Sequence, residues 1–334
     1  MKYVILGAGG LGSVVGGYLA HTGQEVTLIG RQAHMDAIAK EGLEITGPKG
    51  NFLIRDNLTL TTHPDEVAGD HDYLIVCVKS KDMEKTLADA QDLVKRVDTV
   101  LTLQNGINKE PRLEVWAGPG KVVGASTMEG ATLVAPGKCI NPFTGPATAY
   151  FGELSGEVTP RVEELARAFT AAKMSSKAVD CIKQVTWEKL VQIGLASSWS
   201  VSNLAGGDFY FIDGITVREG AESYMQIALE LLSVYRALGY EPQDFYAPMT
   251  QFRDLERGTF DEGVALLMNW GNELKAANMK SRTSMHVDFT RGRKLEIDEI
   301  VKPFIDKAQE FNLSIPTVVA AYRTIKILDH YLEG

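Results

Sequence analysis

Glycines are concentrated near the start of the chain, where they form the pattern G-x-G-x-x-G. The pattern consists of Gly7, Ala8, Gly9, Gly10, Leu11 and Gly12. Its first glycine permits a tight turn, its second lets the backbone approach a pyrophosphate, and its third allows a helix to pack closely on a strand. A helix that begins here also offers free N–H groups to phosphates. The pattern predicts a dinucleotide site, and a glycine-rich turn without a ligand is the alternative.

Arg31 follows the next apolar run, Val26 to Ile29. Enzymes that bind NAD have an acidic residue at the end of this second strand, where it holds the ribose hydroxyls. An arginine instead offers a planar charged fork that binds a phosphate through two hydrogen bonds. Arg31 therefore favours NADP with its 2′-phosphate, and a solvated surface arginine is the alternative.

Two further polar residues each follow an apolar run. Lys79 comes after Tyr73 to Val78, and Asn105 comes after Thr99 to Leu103. Open α/β sheets bind ligands at the carboxyl ends of their strands, so both residues are candidates for cofactor binding. A structural hydrogen bond within a loop is an equally good interpretation of each.

The pattern of apolar residues predicts the elements that position these groups. Residues 3–6 and 26–29 predict parallel strands joined by a helix that ends at about Ala20, a βαβ unit. Uniformly apolar runs predict further buried parallel strands at 73–78, 99–103 and 122–125. Between them we expect helices at 34–41 and 82–95, followed by antiparallel strands and turns within 131–152.

The second half of the chain has helical periodicity almost throughout. The predicted helices cover 184–203, 215–238, 260–277, 296–311 and 316–332. A chain of 334 residues also exceeds what a single core usually supports. We therefore predict an α/β protein with a Rossmann-type dinucleotide-binding domain at 1–180 and an all-helical C-terminal domain at 181–334.

Composition excludes several classes of partner. The net charge of −9, with basic residues scattered among acidic ones, argues against nucleic acid. The three cysteines, Cys77, Cys139 and Cys181, lack the spacing of a zinc or redox site, and nothing calls for a metal. No stretch approaches the ~20 apolar residues of a membrane span, and no signal peptide is recognisable, so we expect a cytoplasmic protein.

These motifs together resemble the ketopantoate reductase family. The resemblance covers nearly the whole chain and rests on the glycine turn, Arg31, Val78-Lys79-Ser80, Gln104-Asn105-Gly106, Trp187-Glu188-Lys189-Leu190, Ser284-Met285, Arg291-Gly292-Arg293 and Glu296-Ile297-Asp298. It implies an NADPH-dependent enzyme that reduces a small 2-oxo acid in the manner of 2-dehydropantoate 2-reductase. It also implies a Rossmann domain, a helical domain and a homodimer formed through the helical domain.

The resemblance also implies roles for individual residues. Lys79 would lie with Arg31 near the adenosine phosphate, and Asn105 near the nicotinamide ribose and the substrate. Lys189 would be the catalytic lysine, Ser284 a ligand of the substrate carboxylate, and Glu296 an acceptor for a substrate hydroxyl. Hydride delivery to a ketone leaves negative charge on oxygen, which a lysine ammonium stabilises and then protonates. An exposed lysine and a charged helix start are the alternatives for Lys189 and Glu296.

The chain departs from the family pattern at three asparagines. Those four and eight residues after the catalytic lysine, on the same helix face, are Ile193 and Ser197 here. The third corresponds to Gly207. Because an isoleucine cannot replace an amide hydrogen bond, we expect the preferred substrate to be a 2-oxo acid other than ketopantoate, with a more apolar or bulkier tail that contacts Ile193 and Trp199.

Two other functions stay open at this point. One is a 3-hydroxy acid dehydrogenase of the 6-phosphogluconate dehydrogenase-like group, although its glycine-rich substrate loop is not evident in this chain. The other is a non-catalytic NADP-binding sensor, which would need the glycine turn and Arg31 but not Lys189. The sequence also leaves open the substrate, the pathway and the direction of flux.

Overall fold

The computed structural model describes residues 1–204 and 208–332 of the chain. These residues form two compact units, Met1–Thr186 and Trp187–Gly334. The domain limits expected from the sequence, 1–180 and 181–334, stay a prediction. In the parts of the chain that the structure describes, no helix is long and apolar enough to span a membrane.

The first unit contains both strands and helices. Its strands are β1 (Lys2–Leu6), β2 (Glu25–Ile29), β3 (Leu43–Thr46), β4 (Phe52–Ile54), β5 (Leu58–Thr61), β6 (His71–Val76), β7 (Val97–Thr102), β8 (Val123–Thr127), β9 (Thr132–Ala135), β10 (Lys138–Ile140), β11 (Ala149–Glu153) and β12 (Ser176–Ala178). Its helices are α1 (Gly10–His21), α2 (Gln32–Glu41), α3 (Met83–Asp89), α4 (Lys109–Ala117) and α5 (Pro160–Ala171).

A five-stranded parallel sheet forms the centre of this unit, in the order β5-β2-β1-β6-β7. Successive side chains of a strand point to opposite faces, so a strand with both faces covered is apolar throughout. Ile5 of β1 packs in one core with Val15 of α1. Leu6, the next residue, packs in the opposite core with Met83 of α3 and Leu113 of α4. This two-sided burial explains the continuous apolar runs of the sequence.

Two smaller sheets complete the first unit, with the orders β4-β3-β10-β9 and β12-β11-β8. The parallel pairing predicted for the strand at 122–125 is wrong for residues 123–125. Val122 forms an isolated parallel bridge with Val100 of β7, but residues 123–125 belong to β8, which pairs antiparallel with β11 in the three-stranded sheet. Every residue of β8 is buried, so the apolar run alone could not distinguish this strand from a parallel one. Antiparallel pairing within 131–152 is confirmed for β9 with β10.

In the part of the chain that the structure describes, the second unit consists of helices joined by loops. They are α6 (Ile182–Leu204), which begins before the boundary between the units, α7 (Phe211–Ile215), α8 (Arg218–Ala237), α9 (Phe252–Glu256), α10 (Phe260–Ala276), α11 (Ser284–Thr290), α12 (Ile297–Ile300), α13 (Lys302–Glu310) and α14 (Pro316–His330). The single helix predicted at 296–311 is divided into α12 and α13. Pro303 lies at the start of α13, and a proline cannot continue a helix that precedes it.

Candidate active site

Four adjacent strands of the parallel sheet, β2, β1, β6 and β7, end at the same level. Leu6 of β1 pairs with Ile29 of β2 on one side and with Val76 of β6 on the other, and Val76 pairs with Thr102 of β7. The segments that follow these strand ends carry the predicted cofactor residues, namely Gly7 to Gly12, Arg31, Lys79 and Asn105. The fold therefore brings these groups, which are far apart in the sequence, to one edge of the sheet.

The glycine turn is tied to the neighbouring strand ends. The N–H groups of Gly7 and Ala8 donate to the carbonyl oxygen of Ile29 at 3.2 and 2.8 Å, and Gly9 N–H donates to Gly7 O at 2.8 Å. Gly7 has φ +106°, and a Cβ added to it would lie 2.6 Å from Cγ1 of Val78. Only glycine fits such a left-handed turn in this narrow space. The turn is therefore rigid and close to the sheet.

The remaining glycines of the motif differ in what surrounds them. A Cβ on Gly12 would lie 2.4 Å from Gly7 O, and one on Gly10 would lie 3.0 Å from Ala131 O. A Cβ on Gly9 would meet no atom within 4 Å. Gly12 thus permits close packing of α1, whereas the open space at Gly9 lies beside the first N–H groups of α1, which have no partner inside the helix. This arrangement fits the pyrophosphate of a dinucleotide.

Arg31 precedes the first residue of α2 and its side chain is exposed. Its carbonyl oxygen accepts hydrogen bonds from the N–H groups of His34 (2.9 Å) and Met35 (3.1 Å), so the start of the helix fixes its backbone. The first turn of α2 contains no acidic residue. Nothing in that turn would therefore repel an anion bound at Arg31.

His34 is a residue of this site that the sequence analysis missed. Its Nδ1 accepts a hydrogen bond from Gly137 N–H at 2.8 Å, and its Nε2 lies 2.8 Å from Ser13 Oγ. Since Nδ1 is an acceptor, the neutral ring carries its proton on Nε2 and donates it to Ser13. Burial lowers the pKa of His34 and maintains this neutral form. His34 of α2 therefore anchors the first turn of α1.

Lys79 and Asn105 occupy adjacent loops. Lys79 is exposed at the start of a short 3-10 turn at Ser80–Asp82, and Asn105 is half-buried. Gln104, the residue before Asn105, connects the two loops. Its Nε2 donates a hydrogen bond to the carbonyl oxygen of Val78, the residue before Lys79, at 2.7 Å. This hydrogen bond joins the segment after β6 to the segment after β7.

Lys189 and Ile193, two of the predicted substrate residues, lie on a partly open face of α6. Lys189 is 6% exposed, and the half-buried residues Gln192, Ile193 and Ala196 follow it at spacings of three and four residues. Such spacings place side chains on one face, which we call the α6 open face (Lys189, Gln192, Ile193 and Ala196). Ser197, one residue further, is buried. Gln192 was not among the predicted site residues, although its spacing from Lys189 could have indicated it.

The expectation that Trp199 contacts the substrate is wrong. Trp199 is 0% exposed, its Nε1 donates to Gly220 O at 2.8 Å, and its ring packs against Phe211 and Tyr224. Trp199 is therefore a core residue. Gly207, the position of the third family asparagine, lies outside the described residues.

Ser284 and Glu296 lie at the starts of two short helices of the second unit. Ser284 is the exposed first residue of α11, and Glu296 is the half-buried residue before α12. Asp298, in the same segment as Glu296, accepts hydrogen bonds from Tyr322 (2.7 Å) and Lys326 (2.8 Å). Asp298 therefore stabilises the contact between α12 and α14.

Comparison with known proteins identifies the chain. The family model described as ketopantoate reductase PanE/ApbA matches residues 3–156, and the model of its C-terminal part matches residues 181–329. The chain belongs to this family. It is 28% identical over 333 residues to a 2-dehydropantoate 2-reductase of Pyrococcus abyssi, covering 98% of this chain and 97% of the relative. The predicted family is therefore confirmed, and the protein is an oxidoreductase.

Solved structures share the fold of the whole chain. A 2-dehydropantoate 2-reductase from Methylococcus capsulatus is 24% identical, with a TM-score of 0.78 over 99% of this chain and 97% of that one. D-mandelate dehydrogenase, solved with NADH and anilino(oxo)acetate, is 21% identical, with a TM-score of 0.77 over 99% of both chains. The predicted fold class is thus confirmed. A nicotinamide dinucleotide is the cofactor typical of this family, and the glycine turn described above fits it.

Proposed function

We propose that this enzyme reduces a 2-oxo acid to the 2-hydroxy acid and uses NADPH as its cofactor. The observation that carries the proposal is the burial of Lys189, which is 6% exposed on the α6 open face. The electrostatic interactions of an ammonium group are stronger where water is excluded than at the surface. A buried lysine beside half-buried helix positions is suited to stabilise a negative charge that develops on a bound substrate.

The first unit supplies the cofactor residues of this proposal. The open space at Gly9 and the start of α1 would hold the pyrophosphate, while Arg31 and Lys79 would bind the 2′-phosphate that distinguishes NADP from NAD. Asn105 would lie near the nicotinamide ribose and the substrate. When bound, the reduced nicotinamide supplies the hydride for the carbonyl carbon.

The second unit supplies the substrate residues. Lys189 Nζ would donate a hydrogen bond to the carbonyl oxygen, stabilise the negative charge that forms there, and transfer the proton that completes the alcohol. Ser284 would bind the carboxylate and Glu296 would accept a hydrogen bond from a hydroxyl. Ile193 and Ser197 would contact the substrate tail, and Ile193 would favour tails other than that of ketopantoate.

The proposal also covers the partner, oligomeric state, location and pathway of the enzyme. Family membership supports a small 2-oxo acid as its partner, a homodimer formed through the second unit, a cytoplasmic location and a part in pantothenate biosynthesis or a related use of 2-oxo acids. The acidic balance of the chain supports the absence of a nucleic-acid partner.

The test is to measure NADPH consumption with a panel of 2-oxo acids that includes ketopantoate. We expect Lys189→Ala to lower kcat by about 10²–10⁴-fold, the usual contribution of a general acid. Lys183→Ala, which removes an exposed lysine from the same helix, is the matched control and should retain activity. Oxidation of 3-hydroxy acids without reduction of any 2-oxo acid would overturn the proposal, as would NADPH binding without any turnover.

A further inference from the structure

A buried ion pair lies in the first unit and has no role in the proposed function. Lys49, in the turn between β3 and β4, pairs with Glu129, which lies two residues after the end of β8. Their side chains are 6% and 1% exposed. Apolar residues of similar size often stabilise a core as well as a buried ion pair does. Stability alone therefore does not account for this pair, and its contacts indicate what else it does.

Asn141, the residue after β10, connects the ion pair to the backbone that follows Glu129. Its Nδ2 donates hydrogen bonds to Glu129 Oε2 at 2.9 Å and to Gly130 O at 2.7 Å. Asn141 is 0% exposed, and its own N–H donates to Thr46 O at 2.9 Å. Glu129 N–H donates to Thr127 Oγ1 at 3.0 Å. The backbone at Glu129 and Gly130 is thus held by buried side chains.

The ion pair also contacts α1. Lys49 Nζ lies 5.5 Å from the centroid of the Tyr18 ring, within the range of a cation–π interaction. The Tyr18 hydroxyl donates to Asn141 Oδ1 at 3.4 Å. Burial, and after it the charge of Glu129, raises the pKa of Tyr18 to about 12, so the phenol keeps its proton at neutral pH. The helix that begins at the glycine turn is therefore connected to Lys49, Glu129 and Asn141.

The segment that this network holds lies against the glycine turn. A Cβ added to Gly10 would lie 3.0 Å from Ala131 O and 3.2 Å from Leu133 N. Ala131 directly follows Gly130, whose carbonyl oxygen bonds to Asn141. The backbone at Ala131 and Leu133 therefore borders the first residue of α1, where the pyrophosphate of a dinucleotide would bind. A shift of this segment would change the space beside the first N–H groups of that helix.

We propose that Lys49 and Glu129 are positioning residues for the dinucleotide, which they affect through Asn141 and the backbone of residues 130–133. The inference rests on the proposed binding of NADPH at the glycine turn. A segment that is fixed before the cofactor binds costs little free energy to order, so loss of the ion pair should weaken NADPH binding. At saturating NADPH the bound cofactor orders the segment, so kcat should change by less than about twofold.

The experiment compares Glu129→Gln with the double variant Lys49→Met/Glu129→Leu. Glu129→Gln should raise Kd and KM for NADPH about tenfold, and it should lower the urea midpoint because Lys49 stays buried without its charged partner. The double variant removes both charges, so its urea midpoint should return towards that of the wild type. Its NADPH binding should stay weak, because the introduced leucine and methionine cannot accept the hydrogen bond of Asn141.

Glu153→Gln is the matched control, because it breaks another ion pair of the same unit. Glu153 accepts a hydrogen bond from Arg161 Nε at 2.7 Å, and its side chain is 9% exposed. This variant should lower the urea midpoint and leave Kd for NADPH unchanged. Hydrogen exchange gives a second readout, in which the peptide covering residues 129–135 should exchange faster in both Glu129 variants than in the wild type.

Two results would overturn the inference and leave the proposed function intact. One is a double variant that regains both the urea midpoint and the NADPH affinity of the wild type, which would show a purely structural pair. The other is a Glu153→Gln variant that binds NADPH as weakly as Glu129→Gln. A wild type that binds NADPH but reduces no 2-oxo acid would overturn the proposed function, whereas weaker NADPH binding by both Glu129 variants would still support the inference.

Discussion

The hydroxyl oxygens of Ser200 and Thr283 lie 2.9 Å apart and join α6 to the start of α11. Ser200 is fully buried and lies about three helical turns after Lys189, on the same side of α6. Thr283 is also the N-cap of α11, since its side chain accepts a hydrogen bond from His286 N–H at 3.2 Å. Through these two hydroxyls, the helix that carries Lys189 fixes the position of Ser284.

We therefore expect Thr283→Ala to have two separable effects. Loss of the N-cap should lower the free energy of unfolding by about 0.5–2 kcal/mol, measured by urea denaturation. Displacement of Ser284 should raise KM for the 2-oxo acid without changing KM for NADPH. Thr283→Ser, which retains the hydroxyl, should restore both quantities. A loss of stability with an unchanged KM would argue against Ser284 as a carboxylate ligand.

Gly9→Ala should weaken NADPH binding, whereas Gly12→Ala should lower the stability of the fold. The added Cβ at Gly9 meets no protein atom within 4 Å, so this variant should fold with wild-type stability but bind NADPH at least about tenfold more weakly. The added Cβ at Gly12 would lie 2.4 Å from Gly7 O, so this variant should lose about 1–3 kcal/mol of stability. Calorimetric titration and urea denaturation distinguish the two. Unaltered NADPH binding by Gly9→Ala would argue against a pyrophosphate at this turn.

Arg31→Gln tests the preference between the two dinucleotides. Charged hydrogen bonds to a phosphate contribute about 1.5–3 kcal/mol, so kcat/KM for NADPH should fall by about 10–150-fold. The value for NADH should change by less than about twofold, because NADH has no 2′-phosphate. Arg55→Gln, which alters an exposed arginine that bonds to Glu41 O at 3.0 Å, is the matched control. Equal losses with both cofactors would contradict the assignment of Arg31 to the 2′-phosphate.

Three buried histidines should make the free energy of unfolding decrease in mild acid. Burial lowers the pKa values of His34, His71 and His286 below that of the unfolded chain. As pH falls below about 6.5, the unfolded state takes up protons that the folded state does not, so unfolding becomes more favourable. Above that pH these histidines are neutral in both the folded and the unfolded state, so they no longer reduce the free energy of unfolding. Each histidine contributes at most about 1.4 kcal/mol per pH unit.

Urea denaturation between pH 7.5 and 5.5 measures this dependence. His34→Gln should reduce its slope, whereas His63→Gln, at an exposed position, should not alter it. A free energy of unfolding that is independent of pH in this range would show that these histidines protonate equally in both states. His34→Gln should also weaken NADPH binding, because it loses the contact with Ser13 that anchors α1.

The parts of the site that the sequence predicts are those that depend on local pattern. The glycine turn lies directly after an apolar run and before a helix, and Arg31 and Lys79 also follow strands, so spacing alone places them at one sheet edge. The contacts of His34 with Gly137 and of Ser200 with Thr283 join residues more than 80 positions apart. No local pattern indicates which distant residues meet, so these contacts required the fold.

A single sequence pattern can also have two physical causes. The apolar character of Trp199 fits a substrate contact, but buried core and binding surface are equally apolar, and only its 0% exposure decides between them. Short strands such as β4 and β5 were not predicted because they are only partly buried. Their alternation is too brief to distinguish from that of a loop.

The common level at which β1, β2, β6 and β7 end restricts how this chain can change. Inserting one residue into β1 would exchange the side chains between the two cores and move the glycine turn by about 3.3 Å relative to its neighbours. Deletions within these strands would have the same effect. In this part of the fold, insertions and deletions should therefore be tolerated in the loops that follow Ile29, Leu6, Val76 and Thr102, and not within the strands that these residues end. New ligand preferences are accordingly accessible through the loops, where length and side chains vary without disturbing the sheet.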